Sequence, residues 1–365
     1  MTISGRMCSR VIQGTASALL TTLLGGCNGL GPNYLSEDRI NYSEAISDSW
    51  KEEMLLNLVK LRFGDAPVFL EVASVISQYQ VQGVVSLNGS WFNTPSPVYP
   101  AQMLGGVGSY ADRPTVTFSP VMGQRFARSL MNPIPPAAVI SLIQAGYPAD
   151  QVLRLLVHSI NGLVNRYGGQ ERARTGDPLF YRLIDLMRKA QLSNAIGLRT
   201  IKINDKQSTL FIIRSDMAQE VSIISEEIRG LLKLAPSTSA LNITYGSVSG
   251  SDHEIAILTR SVMDVLIELS SYLDVSPNDV AENRVNQTPA IEQFKGTDLR
   301  PLIRIHCSSW KPHEAFIKIK YRNQWFWIDD RDIASKRMLS FIMLIFSLVE
   351  TDEKAASPVL TIPTG

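Results

Sequence analysis

Between Val11 and Gly26 the chain carries no charged residue, and Arg6 and Arg10 stand just before that stretch. A basic lead, an uncharged and mildly apolar run, and then small residues form the pattern of a secretory signal, which is removed rather than folded. The run is too short, and too rich in Gly, Ser, Thr and Gln, for the roughly 20 apolar residues of a membrane-spanning helix. It ends in Leu23-Leu24-Gly25-Gly26-Cys27. Glycines at the last two positions let a peptidase hold an extended backbone with little side-chain bulk. Starting at Met7 instead would leave Arg10 alone ahead of the run and keep its end unchanged.

The segment Leu24-Gly25-Gly26-Cys27 resembles the lipobox of bacterial lipoproteins. That resemblance implies a signal peptide over 1–26, cleavage before Cys27, lipid on the Cys27 thiol, and a polar tether over 27–38. The partner it implies is a membrane, engaged durably because several acyl chains are buried. Asn28, where an Asp would retain such proteins at the inner membrane, implies the periplasmic side of the outer membrane. Cys8 leaves with the leader and Cys27 is acylated, so Cys307 is the one remaining thiol. An intramolecular disulfide is then excluded, and an ordinary apolar core must hold the fold. The 35 basic and 34 acidic residues nearly cancel. Loss of Arg6 and Arg10 leaves one more acid than base, which argues against a nucleic-acid partner.

Periodicity predicts an α+β body of mixed short strands and helices. Asn41 reads as a helix cap with Glu44 three residues on. Ile46, Trp50, Met54, Leu58 and Leu61 then form one stripe, and Gly64 ends the helix. Strands are expected over 68–79 and 81–87, and a long irregular Gly/Ser/Pro-rich loop over 88–114 that would dock a partner. Thr115 to Phe118 reads as a strand, followed by helices over 122–130, 137–145, 149–165 and 178–192. A mobile basic loop, with Arg166, Arg172 and Arg174, separates the last two. Hairpin strands at 200–203 and 210–214 open the second half, followed by strands at 242–246 and 254–259 and a helix over 261–273. A C-terminal β-meander (302–306, 315–321, 324–328) precedes a helix over 333–349. The apolar run of that helix spans about 18 Å, which suits a buried core helix rather than a membrane span. The expected division is an N-terminal region, 39–195, and a C-terminal region, 196–365.

Chemistry is sparse. His158, His253, His306 and His313 show no paired metal-ligand spacing, and no cofactor motif is present, so neither metal nor cofactor is expected. The stretch from His313 through Trp325 and Trp327 to Asp329 and Asp330 resembles the histidine hairpin of papain-like cysteine hydrolases and transglutaminases. It implies Cys307 as nucleophile, His313 as base and Asp329 as the orienting acid. In those enzymes the cysteine lies far upstream at a helix start, whereas Cys307 lies six residues before His313. The plainer reading gives Phe316, Ile317, Ile319, Trp325 and Trp327 to the two faces of a hairpin. Arg166, Arg172, Arg174, Trp325 and Trp327 are the partner-binding candidates, the arginines for an anionic lipid or glycan.

The segments 54–72, 126–143 and 321–336 look like a family of bacterial envelope lipoproteins, and that resemblance implies location without any functional residue. The function expected is therefore a lipid-anchored, non-catalytic binding or assembly component facing the periplasm. The cysteine hydrolase or transferase is the alternative.

Overall fold

Helix α1 (Pro32–Arg62) is the first described element of the computed structural model. The model describes residues 32–76, 79–89, 102–112, 115–120, 124–169, 173–203, 206–213, 219–236 and 240–350. The expected signal peptide and Cys27 lie outside them. α1 begins nine residues before the Asn41 cap, with proline in its first turn, where a missing N–H costs nothing. Part of the expected tether is therefore helical. From Arg39 to Glu53 no side chain is buried, and then Met54, Leu55, Leu58 and Val59 are fully enclosed. The helix closes at Gly64, whose φ of 75° and the bond from Asp65 N to Lys60 O (2.8 Å) complete a left-handed cap.

The chain then forms a two-stranded ribbon. Strand β1 (Leu70–Ile76) pairs antiparallel with β4 (Thr115–Pro120), and β2 (Tyr79–Gly89) pairs antiparallel with β3 (Gln102–Asp112). The two ladders keep one register apart from a bulge between Val72 and Ser74. This corrects the irregular loop expected over 88–114 where the structure describes it, since 88–89 belong to β2 and 102–112 to β3; 90–101 and 113–114 lie outside the described residues. Gly105, Gly106 and Gly108 had hidden the alternation of β3, and β2 supplies the hydrogen bonds that a lone reading of 102–112 does not reveal. The ribbon is rooted in the body. Buried Asn57 donates Nδ2–H to Val68 O (2.7 Å) and accepts from Val68 N (2.9 Å), and Leu70 N donates to Glu53. Phe69 stacks on Phe346 with 4.6 Å between ring centroids, and Phe126 closes the trio edge-on.

Short helices follow: α2 (Gln124–Met131), α3 (Pro136–Gln144), α4 (Ala149–Leu156) and α5 (Pro178–Leu192). α4 was expected to continue to Asn165; it stops at Leu156 and becomes strand β5 (Val157–Ile160). The helix's last carbonyls are taken instead by the side chain of Arg260, and Arg260 N donates to Leu156 O (2.8 Å). Asn161 and Gly162, both with positive φ, turn β5 into β6 (Leu163–Val164).

A six-stranded sheet lies at the centre, in the order β6-β5-β10-β9-β8-β7. It adds β7 (Ile196–Ile203), β8 (Lys206–Ile213), β9 (Ala240–Tyr245) and β10 (Glu254–Thr259). Helix α6 (Gln219–Leu232) links β8 to β9, and only β9 and β10 run parallel. The sheet takes strands from both sides of residue 195, so its core runs through the boundary expected there. Helix α7 (Val262–Ser270) opens on a capping box between Ser261 and Asp264 and buries Val262, Val265, Leu266 and Leu269.

The short helix α8 (Pro277–Ala281) and the ribbon β11 (Gln293–Phe294) and β12 (Thr297–Asp298) lead to the C-terminal strands. These are β13 (His306–Ser308), β14 (Ala315–Tyr321) and β15 (Gln324–Asp329), ordered β13-β15-β14, with the β14–β15 turn at Arg322-Asn323. Helix α9 (Ile333–Glu350) buries Met338, Leu339, Ile342, Ile345 and Phe346. The fold is α+β, with C-terminal strands followed by a core helix. Among the described residues no helix is long and apolar enough to cross a membrane.

Candidate functional site

Among the described residues no hydrogen bond or ion pair joins Cys307, His313 and Asp329. Cys307 lies on β13 opposite Phe326, half-buried, and burial followed by the nearby Asp279 and Asp274 pushes its thiol up to about 11. A nucleophilic cysteine needs the opposite shift. His313 lies exposed in the loop before β14. Asp329 accepts from Arg331 N (2.8 Å), which makes it the start of the turn into α9 rather than the orienter of an imidazole. The imidazole with a carboxylate partner here is His306, whose Nδ1 is 3.3 Å from Asp274 and whose ring packs on Trp327. With a thiol near 11, about one Cys307 in ten thousand is ionised at pH 7. Alkylation by iodoacetamide should thus be slow at pH 7 and rise about tenfold per pH unit up to pH 10. A rate already level between pH 7 and pH 8 would restore the nucleophile.

Arg166 of the basic loop is built into the protein, whereas Arg174 is exposed and held by hydrogen bonds. Arg166 is buried. Its guanidinium bonds the Glu268 carboxylate and lies 3.7 Å from Glu292, and its plane covers the Tyr272 ring. Burial alone would lower the Arg166 pKa, but Tyr272, Glu268 and Glu292 outweigh it and raise it. Arg174 gives its guanidinium to the Asn165 and His158 carbonyls, and its backbone pairs with Tyr167 in both directions. Arg172 lies outside the described residues. Asn165 pins the base of the loop by donating to the carbonyls of Arg154 (2.9 Å) and Val157 (2.7 Å).

Around Arg166 lies the densest buried charge in the described chain, and the sequence reading missed it. Arg260 is fully enclosed and donates to the carbonyls of Arg154, Leu155 and Arg166, and its Nη2 is 4.0 Å from Glu268. Glu268, 1 % exposed on α7, also accepts from Gly168 N (2.5 Å) and from the Tyr272 hydroxyl (3.1 Å). Beside this centre a cleft of about 100 Å³ is bordered by Arg154, Arg166, Arg304, Tyr272 and Glu292. Glu292 is already engaged by the Tyr181 hydroxyl and by Gly176 N. The cleft is well below the roughly 300 Å³ of an ordinary small-molecule pocket. Arg154 donates to Arg300 O (3.0 Å), and no cysteine, serine or histidine lines the cleft. No cluster of three or more metal-ligating side chains occurs among the described residues. The arrangement clamps Arg166, Tyr167 and Gly168 to α7.

Trp325 and Trp327 stand on the half-exposed side of β15, and the alternate residues Phe326 and Ile328 are buried in the core. Trp327 is flanked by His306 and by Trp310, which is 60 % exposed. The Lys311 ammonium lies 5.5 Å above the Trp325 ring. These rings make an outward aromatic row. Comparison of the chain with protein-family models, with curated proteins and with solved structures finds no match.

Proposed function

We propose that the chain is a lipid-anchored protein of the bacterial cell envelope that acts by binding and assembly rather than by catalysis. The observation that carries the reading is the sequence Leu24-Gly25-Gly26-Cys27 after an uncharged run with a basic lead. In this reading Cys27 is acylated in the outer membrane on the periplasmic side. The membrane and another envelope protein are its partners. The exposed first part of α1 fits a segment that carries the body away from a membrane surface. A raised Cys307 thiol and the engagement of Arg166 by Glu268 support binding over hydrolysis. The row formed by exposed Trp310 with half-exposed Trp325 and Trp327 is the surface favoured for a protein partner, since aromatic rings supply much contact area at little entropic cost.

Mass spectrometry of the chain purified from isolated outer membranes tests the anchor. A mature N-terminus at Cys27 carrying acyl mass is the expected result, and Cys27→Ala should abolish both cleavage and acyl mass. An N-terminus that retains the leader in the wild-type chain would remove the anchor from the proposal.

A further inference from the structure

From Val72 to Ala111 the sequence contains no Asp, Glu, Lys or Arg, in a chain where such residues number 69 of 365. Within that range 79–89 and 102–111 belong to the β2–β3 ladder, which sorts them by face. Val81 pairs with Tyr110, Gly83 with Gly108, Val85 with Gly106 and Leu87 with Leu104, so between the end pairs, Tyr79 with Asp112 and Gly89 with Gln102, one face carries only apolar residues, glycine and a tyrosine. The intervening pairs put Gln80, Gln82, Ser86, Asn88 and Ser109 on the other face, with Val84, Val107 and Met103 among them. β2 and β3 each have 11 residues, and a tilted strand needs about 9–11 to cross a bilayer's hydrocarbon.

An apolar face outward and a polar face inward, over strands of that length, is the alternation of a membrane-crossing barrel. A lone two-stranded ribbon is only marginally stable in water. In lipid it is worse off, because its two edges expose unpaired N–H and C=O groups that hydrocarbon cannot satisfy. Among the described residues β2 and β3 pair only with each other. Both difficulties vanish if ribbons from several copies close edge to edge into a ring. Gln80, Gln82, Ser86 and Asn88 would then line water inside the ring, and Val81, Val85, Leu87, Leu104 and Tyr110 would meet lipid outside it.

We infer that the β2–β3 ribbon crosses a lipid bilayer as one copy's share of a closed β-barrel built from several copies of this chain. The body stays outside, tied to the ribbon through β1, β4 and the Phe69–Phe126–Phe346 trio. The inference does not require lipid on Cys27; it makes the assembly role concrete by naming the second copy as partner.

The test uses the full mature chain, extracted in detergent and reconstituted into phosphatidylethanolamine–phosphatidylglycerol vesicles by detergent removal. Val84→Cys and Val85→Cys are labelled at pH 7 with an environment-sensitive dye, conditions under which Cys307 reacts slowly. Quenching by lipid-borne nitroxide is expected at 85 and not at 84, and quenching by aqueous iodide the reverse. Vesicles loaded with a small dye should leak. Val85→Arg should cut leakage at least about tenfold and Gln82→Arg less than about twofold, because only the first places charge in hydrocarbon. An unchanged denaturation midpoint for both arginine variants keeps the folded body out of the result. Equal quenching at 84 and 85, quenching at neither, or leakage indifferent to Val85→Arg overturns the inference. Leakage needs no label, so a missing acyl group on Cys27 leaves that readout untouched, and loss of the anchor and loss of insertion are separate results.

Discussion

Replacing Glu268 with leucine is expected to lower the unfolding free energy by about 3–5 kcal/mol, because it strips the counter-charge from two buried guanidiniums. Arg260 is fully enclosed; burial lowers its pKa, and Glu268 is the largest influence opposing that. Arg166 would keep only the more distant Glu292 (3.7 Å) and the Ser271 hydroxyl (3.3 Å). Gly168 N and the Tyr272 hydroxyl would lose their acceptor as well. Glu268→Gln keeps the shape and one acceptor, so it should lose less. Combining Glu268→Leu with Arg166→Met should recover at least about 1 kcal/mol relative to the sum of the single changes, since residues in one network couple. Urea unfolding followed by circular dichroism supplies all three values. A loss under about 1 kcal/mol for Glu268→Leu would mean that the carboxylate is not what holds the arginines.

Glu268 also shows where reading the sequence reaches its end. The helix around it was legible, since Val262, Val265, Leu266 and Leu269 repeat at helical spacing and Ser261 begins a capping box. Glu268 sits on that same inward stripe, three residues after Val265. A charge on an apolar stripe is the one local signal that something buried must answer it. Its answer, Arg166, lies 102 residues upstream, and no local pattern names that partner. The same holds for the end of α4: the apolar pattern runs past Leu156, but the decision to stop belongs to Arg260, more than a hundred residues later. Features set by neighbours a few residues away were legible: the Gly64 cap, the Arg322-Asn323 turn and the strand over 254–259. Strand β3 was not. Its glycines carry no hydrophobic signal, and only the paired register with β2 shows that Gly106 and Gly108 occupy one face with Val81, Val85 and Leu87. The candidate site was the least legible part. Arg166 and Arg174 drew attention as cations, yet their roles come from Glu268, Asn165 and His158, placed by the fold.

The root of the ribbon carries the second large effect. Phe69→Ala should cost about 3–5 kcal/mol, in the range of other buried phenylalanine truncations. Phe69 is 3 % exposed, and its ring meets both Phe346 of α9 and Phe126 of α2. Truncation would open a cavity between three elements that approach from different directions, so no single shift can refill it. Aromatic pair geometry would be lost along with the buried area. Phe69→Leu keeps most of the volume and should cost about 1–2 kcal/mol. The two variants separate packing at the root from the ribbon beyond it. If the root couples ribbon and body, Phe69→Ala should raise protease cleavage within 70–76 and 115–120 well before the body unfolds, and Phe69→Leu should not. Cleavage there that is identical in wild type and both variants would show that the Asn57 and Glu53 bonds to Val68 and Leu70 hold the ribbon without the aromatic trio.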